Sequence, residues 1–340
     1  MAYTSIDDSS EHFQSNIFTT SGGSGSTTFG GNSNLQPDFL WVKQRNAGNS
    51  NELWDSSRGV NSTMFSGVTE AEDTATGRLS SFDTDGFSWG TSGNLNTAGN
   101  FVSWAWKVNG GTTSTNTDGS ANSTVQANTT AGISVVTFTA NGSTETYGHG
   151  LGVKPDVVIV KSRNVAGGWL YITDVIDGTL DYGRIDQDGT FSALSYNLPT
   201  SSVFSYNDNN TNTQVAYCFA SKQGFSKFGK YRGTGNANGA FIYTGFKPAF
   251  VLLKQTSGSG NGWFLFDTAR NPINRSTNNY LRADESGAEG TTSKIIDMYS
   301  NGFKLIHADS GTNGYNHTYT YMAFAENPFV TSGGTPTTAL

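Results

Sequence analysis

Pro37-Asp-Phe-Leu-Trp-Val-Lys-Gln-Arg45 decides the reading of this chain. It returns as Pro155-Asp-Val-Val-Ile-Val-Lys-Ser-Arg163 and, more worn, as Pro248-Ala-Phe-Val-Leu-Leu-Lys-Gln-Thr256. Each copy is a proline, a run of β-branched, aromatic and aliphatic residues, and a lysine. That is a strand buried on both faces, entered through a proline that cannot extend the ladder backwards. Lys43 and Arg45 are two apart and leave the strand on one face, where they are expected to mark its exit to water.

The surroundings of the stretch recur with it. An aspartate follows at nearly constant distance (Pro37 to Asp55, Pro155 to Asp174, Pro248 to Asp267), and Glu72 with Gly86 is echoed by Glu289 with Gly302. The closing strands align as Trp104-Ala105-Trp106, Tyr217-Cys218-Phe219 and Met322-Ala323-Phe324. One unit of roughly 90 to 110 residues is therefore used three times, the size of a β-sandwich rather than a solenoid rung. The fold class expected is all-β, as tandem β-sandwich units of jelly-roll or concanavalin-like type. Residues 15–108 form unit 1, 133–222 a shorter and divergent unit 2, and 223–330 unit 3. Residues 1–14 read as an arm, 109–132 as a linker of Gly, Ser, Thr and Asn, and 331–340 as a flexible tail.

Composition agrees. Among 340 residues there are 42 glycines and 22 phenylalanines, with 35% hydrophobic and only 14% charged residues. Glycine turns and aromatic strands suit an all-β chain. The net charge of -7 disfavours nucleic acid and anionic membrane. Cys218 is the one cysteine, so no intramolecular disulfide or cysteine-rich metal site is expected. It stands where the other copies have alanine and reads as an inert buried thiol. The N-terminus lacks a positive segment and an apolar core, so no signal peptide is expected.

Chemistry-bearing patterns are sparse. Asp55 with Arg58, and Asp267 with Arg270, repeat an Asp-x-x-Arg pair that reads as pinning the strand exit; unit 2 offers Asp174 and Asp177 instead. Asp83-Thr-Asp-Gly86 and Asp186-Gln-Asp-Gly189 read as turns, since neither supplies the oxygen set of a calcium loop. The histidines His12, His149, His307 and His317 share no ligand spacing. No nucleophile elbow or phosphate loop occurs. No catalytic residue, metal or cofactor is assigned, and the expectation is a protein that is not an enzyme. Tryptophans are the surplus. Trp89, Trp169 and Trp263 fall at strand ends or loops and are candidates for stacking on sugar rings; the alternative is that they cap the sandwich cores.

Together, the Pro-Asp-x-x-x-x-Lys-x-Arg strands, Asp-Ser-Ser-Arg-Gly at 55–59, Ser-Asn-Gly-Phe-Lys at 300–304 and Met-Ala-Phe-Ala-Glu-Asn-Pro-Phe at 322–329 carry a likeness. Over residues 14–330 the chain resembles a family of uncharacterised repeat proteins of marine bacteriophages. The resemblance implies a virion structural protein on the particle surface, a tail fibre or receptor-binding component contacting host glycan. A capsid decoration protein and a polysaccharide depolymerase are the alternatives. Expected partners are further copies of itself through the arm or the linker, other virion proteins and host-surface glycan.

Overall fold

A computed structural model of the chain describes residues 3–272, 276–293 and 295–337. Residues 1, 2 and 338–340 of the expected arm and tail lie outside the described residues. Strands take up 44% of the chain and helices 3%, so the fold is all-β. Each unit is a large antiparallel sheet backed by a small one.

The repeat is visible in strand order. In unit 1 the opening strand Phe13–Ser21 pairs with the closing strand Ala98–Trp106. The closing strand pairs with the Pro-led strand Phe39–Gln44, and that with Glu52–Asp55. Unit 2 repeats the order with Ile133–Thr139, Thr213–Phe219, Val157–Ser162 and Leu170–Thr173. Unit 3 repeats it with Ser226–Arg232, Thr318–Pro328, Phe246–Gln255 and Phe264–Asp267. All three Pro-led strands are thus flanked on both sides, and their apolar runs are buried throughout. Register equates Leu40–Ala105 with Val158–Cys218 and Val251–Ala323, so the small position at Cys218 holds in all three units.

Alternating side chains of each large sheet serve two cores. In unit 1, Leu40, Val42 and Ala105 face a small sheet containing Phe87 and Trp89. In unit 2, Val158, Val160 and Cys218 face Tyr147 and Phe204. The opposite faces meet in one shared core, where Phe39, Trp106, Val157, Phe219, Phe250 and Phe324 converge. Ring contacts cross every boundary there: Phe39 on Tyr217, Trp104 on Phe250, Phe219 on Phe324. Burying rings of this size stabilises by roughly 1.5–3 kcal/mol each. The units therefore form a closed ring of three around a common apolar centre, rather than a row of independent sandwiches.

Two expected connections are structured. Residues 109–132 are not a free linker: Ser114–Asn116 and Ser123–Asn128 add two strands to the unit 2 sheet beside Ile133–Thr139. Short polar side chains suit an edge strand exposed to water, and Val125 is buried beneath it. The arm also docks on its own chain. Ile6 is buried, Tyr3 donates to Gly245 O, Thr4 donates to Gln223 O, and Asp7 accepts from Ser332.

Candidate functional site

The ionisable residues that recur between units come together at the three seams of the ring. First are the lysines that end the Pro-led runs. Lys43, Lys161 and Lys254 do not reach water; all three are fully buried. Each ammonium donates to backbone carbonyls of the preceding unit: Lys43 to Ser286 O, Lys161 to Thr69 O, and Lys254 to Asp188 O and Gly189 O. Burial pushes each down to about 8. Carbonyl dipoles replace the water an ammonium would otherwise have, which lets a single charge sit inside.

A second contact repeats with the same handedness. Trp169 Nε1 donates to Phe65 O at 2.8 Å and Trp263 Nε1 to Arg184 O at 2.7 Å, while Asn51 Nδ2 donates to Arg282 O at 3.1 Å. Trp169, Trp263 and Asn51 are register equivalents, as are the three accepting residues. Trp169 and Trp263 are 1% and 0% exposed, so they are seam residues with no ring face open to a sugar. Trp89 is also buried, in the sandwich core of unit 1, with Nε1 on Gly23 O at 3.1 Å. None of the three stacking candidates lies at the surface.

The Asp-x-x-Arg pairs complete two seams. Asp55 accepts from Arg58 and from the Tyr217 hydroxyl at 2.7 Å, and Arg58 also reaches Glu72 at 2.7 Å; Arg163 closes on Glu72 at 2.8 Å. The seam between units 3 and 1 repeats this with Asp267, Arg270, Glu289 and Arg45, with Trp104 Nε1 donating to Asp267 at 3.0 Å. Burial works against the Arg58 charge, but Asp55, Tyr217 and Glu72 outweigh it and hold the guanidinium above its ordinary value. Burial likewise opposes the Glu72 charge, and Arg163 with Arg58 holds it below the usual carboxylate range. These pairs pin strand exits as expected, but they are buried rather than exposed.

The third seam explains the divergence of unit 2. The residue opposite Val157 is Thr173, whereas Asp55 and Asp267 stand opposite Phe39 and Phe250. Asp174, expected at this place, falls one residue beyond and pairs with Lys154 at the surface. The position held by Trp104 and Tyr217 is Met322 in unit 3, which has no hydrogen to give a carboxylate. Where Glu72 N donates to Arg163 O and Glu289 N to Arg45 O, Phe191 N donates to Thr256 O. Phe191 packs on Tyr171 and Trp263. An apolar seam replaces a charged one, and acid, base and aromatic donor are all exchanged together.

Chemistry at these clusters is enclosed. Asp55, Arg58 and Tyr217 are fully buried, and a general acid or base must lie within hydrogen-bond reach of a substrate. A cleft of about 570 Å³ does open between the edge strand of unit 1 and unit 3, lined by Gln14, Asn16, Ile17, Lys247, Glu326 and Asn327 among others. Among the described lining residues Glu326 is the one carboxylate, and it pairs with Lys247 at 2.9 Å rather than with the second carboxylate that a glycosidase uses. Asp83 accepts from Ser81 and Ser88, and Asp85 from Leu35 N, which ties the first acidic run into a turn. In the second run, Asp186 accepts from Trp169 N and Asp188 O from Lys254. Among the described residues no three His, Cys, Asp or Glu side chains gather as a metal group. Burial pushes the Cys218 thiol up to about 12, far from a thiolate nucleophile.

The repeated lysine, arginine and aspartate are legible in the sequence, but the lysines expected at the exit to water are buried in the seams. Tyr217 and Trp104 as hydrogen-bond donors, and Phe191 as the counterpart of Glu72, were not found. The signal was the joint change of three residue types in unit 2. No curated protein matches the chain. A family model described as a domain of unknown function, DUF7483, matches residues 8–328 across all three units, and the chain belongs to that family.

Proposed function

We propose that this protein is a structural component of a bacteriophage particle surface, a tail fibre or receptor-binding component that contacts host glycan, and that it is not an enzyme. The phage assignment rests on the sequence resemblance. The observation that carries the structural role is the use of the repeated ionisable side chains: they lock three units into one ring instead of lining an open cleft. Such a body resists local opening, because every unit is held through carbonyls of its neighbour. It also presents related faces three times, which suits docking on a symmetric platform, and other virion proteins and further copies of the chain are the partners in this reading.

Labelled antibody against the purified protein, imaged on intact particles, tests the reading. Label at the tail tip supports the receptor-binding role, and label spread over the head supports the capsid decoration alternative. Particles without label remove the virion role. Incubation with host surface polysaccharide separates binder from depolymerase, since new reducing ends would replace the first with the second.

A further inference from the structure

The small sheet of unit 3 carries aromatic rings on its outer face. The strands Phe241–Tyr243 and Ile296–Tyr299 flank Gly302–Leu305. Register sets Phe241 opposite Lys304 and Tyr243 opposite Gly302 on one side, and Asp297 opposite Lys304 and Tyr299 opposite Gly302 on the other. Directly opposed residues share a face, so these six form one surface. Phe241, Tyr243 and Tyr299 are 46%, 50% and 40% exposed, in a protein whose other large rings are mostly buried.

The fold does not require rings there. In unit 1 the register Ser26–Ser88 and Ser81–Ser88 puts serines at the places of Phe241, Lys304 and Asp297. Thr28 and Asp83 follow at the places of Tyr243 and Tyr299. The pseudo-equivalent sheet is thus stable with a wholly polar face. The rings are also held in place. Tyr3 Oη lies 3.3 Å from Tyr243 Oη while donating to Gly245 O, and Lys227 Nζ sits 5.4 Å from the centre of the Tyr243 ring. Phe241 and Tyr299 meet edge to face at 6.0 Å. Gly302 lies between Tyr243 and Tyr299, and an added Cβ would stand 2.1 Å from Ile242 O, so no side chain fills the middle.

We propose that this face binds the pyranose rings of a neutral, β-linked glycan. Sugars of that kind offer a face of axial C–H groups to an aromatic ring and equatorial hydroxyls to the side. The rings supply the first surface. Lys304, which donates to Asn238 Oδ1 at 2.6 Å, and the tyrosine hydroxyls supply hydrogen-bonding groups at the rim. A protein partner would favour a larger desolvated patch with apolar neighbours around its anchors; here Lys304 and Asp297 border Phe241, and Lys227 lies against Tyr243. The site deepens the receptor-binding reading and takes its ligand class from it.

The test uses the full chain with cellohexaose and with xylohexaose at millimolar concentration, followed by saturation transfer from protein to sugar. Variants take the residues of unit 1: Phe241→Ser, Tyr299→Asp and the pair together. The wild type is expected to transfer to axial sugar protons. Each single variant should weaken binding about tenfold, and the pair should abolish it, with melting unchanged. No transfer with either sugar overturns the proposal, as does binding that the double variant keeps. A dimer of the wild type that the double variant loses, without sugar binding, would make the face a protein contact instead. Sugar binding by a protein that labels no particle leaves this site standing and removes the virion reading; labelled particles without sugar binding do the reverse.

Discussion

Lys43 Nζ lies 2.7 Å from the carbonyl oxygen of Ser286, at the far end of the chain, and it makes that bond from a fully buried position. Lys161 and Lys254 repeat the relation at the other seams. The lysine of the repeated motif is therefore what joins one copy to the next.

These lysines make stability depend on pH with a definite sign. Each titrates near 8 in the folded protein, below the ordinary 10.5. Between these values the unfolded chain binds more protons than the folded one, so stability rises with pH. The gain is complete above 10.5 and lost as pH falls through 8. Buried tyrosines such as Tyr217 are held well above 10 and act in the opposite sense from pH 10 upward, so the rise belongs to about pH 8–10. Melting temperature should climb across that window, with each lysine contributing at most about 1.4 kcal/mol per pH unit. Lys43→Met should climb less steeply than wild type. Equal slopes would mean that Lys43 is hydrated.

Removing Arg58 should be severe. Of their side-chain partners, Asp55 would keep only the Tyr217 hydroxyl and Glu72 only Arg163, so the fully buried Asp55 would lose its counter-ion. Loss of one partner from a buried ion cluster costs about 3–5 kcal/mol. Arg58→Ile alone should therefore lower the urea midpoint strongly. Combining it with Asp55→Thr, Glu72→Phe, Arg163→Thr and Tyr217→Met, the residues of the apolar seam, should recover most of the loss. A mild effect of Arg58→Ile alone would show that the seam admits water.

Cys218→Ala should be nearly neutral, costing about 1 kcal/mol or less, because Ala105 and Ala323 occupy the same register position. Cys218→Leu should cost more, since the site is closed over by Val158 and its neighbours. Denaturation of the two variants side by side checks the order, and a reversed order would break the equivalence of the three units.

Much of this fold was readable because a strand buried on both faces leaves an unbroken apolar run, and three such runs with shared flanks announce a repeat. Seam contacts were not readable for a different reason. A lysine at a strand end looks the same whether it meets water or a carbonyl of another unit. The misplaced Asp174 has a simple cause. The connection from Leu253 to Phe264 in unit 3 is one residue longer than those from Val42 to Glu52 and Val160 to Leu170, so matching distances along the chain matched the wrong residue. The segment at 109–132 reads as a linker because edge strands need few apolar residues. The surface rings do not stand out in the sequence, because the face that Phe241, Tyr243 and Tyr299 occupy is set by their register with Gly302–Leu305.

Self-association is expected at one edge. The three opening strands are equivalent, yet their free sides differ. That of unit 2 is covered by Ser123–Asn128. That of unit 3 ends its sheet but carries Lys227, Lys230 and Arg232, the charges that keep edges from pairing. The strand of unit 1, Phe13–Ser21, also ends its sheet, bears no charge, and exposes Ile17 beside the open cleft. The arm and the 109–132 segment, the expected places for contacts between copies, are engaged within the chain, whereas this edge is open. Two copies paired edge to edge and antiparallel would form a twofold dimer, the commonest closed arrangement. Sedimentation at tens of micromolar should find a dimer, and Ile17→Lys should return it to monomer without changing its melting temperature. A wild type that stays monomeric would remove intrinsic oligomerisation, and a dimer indifferent to Ile17→Lys would move the contact elsewhere.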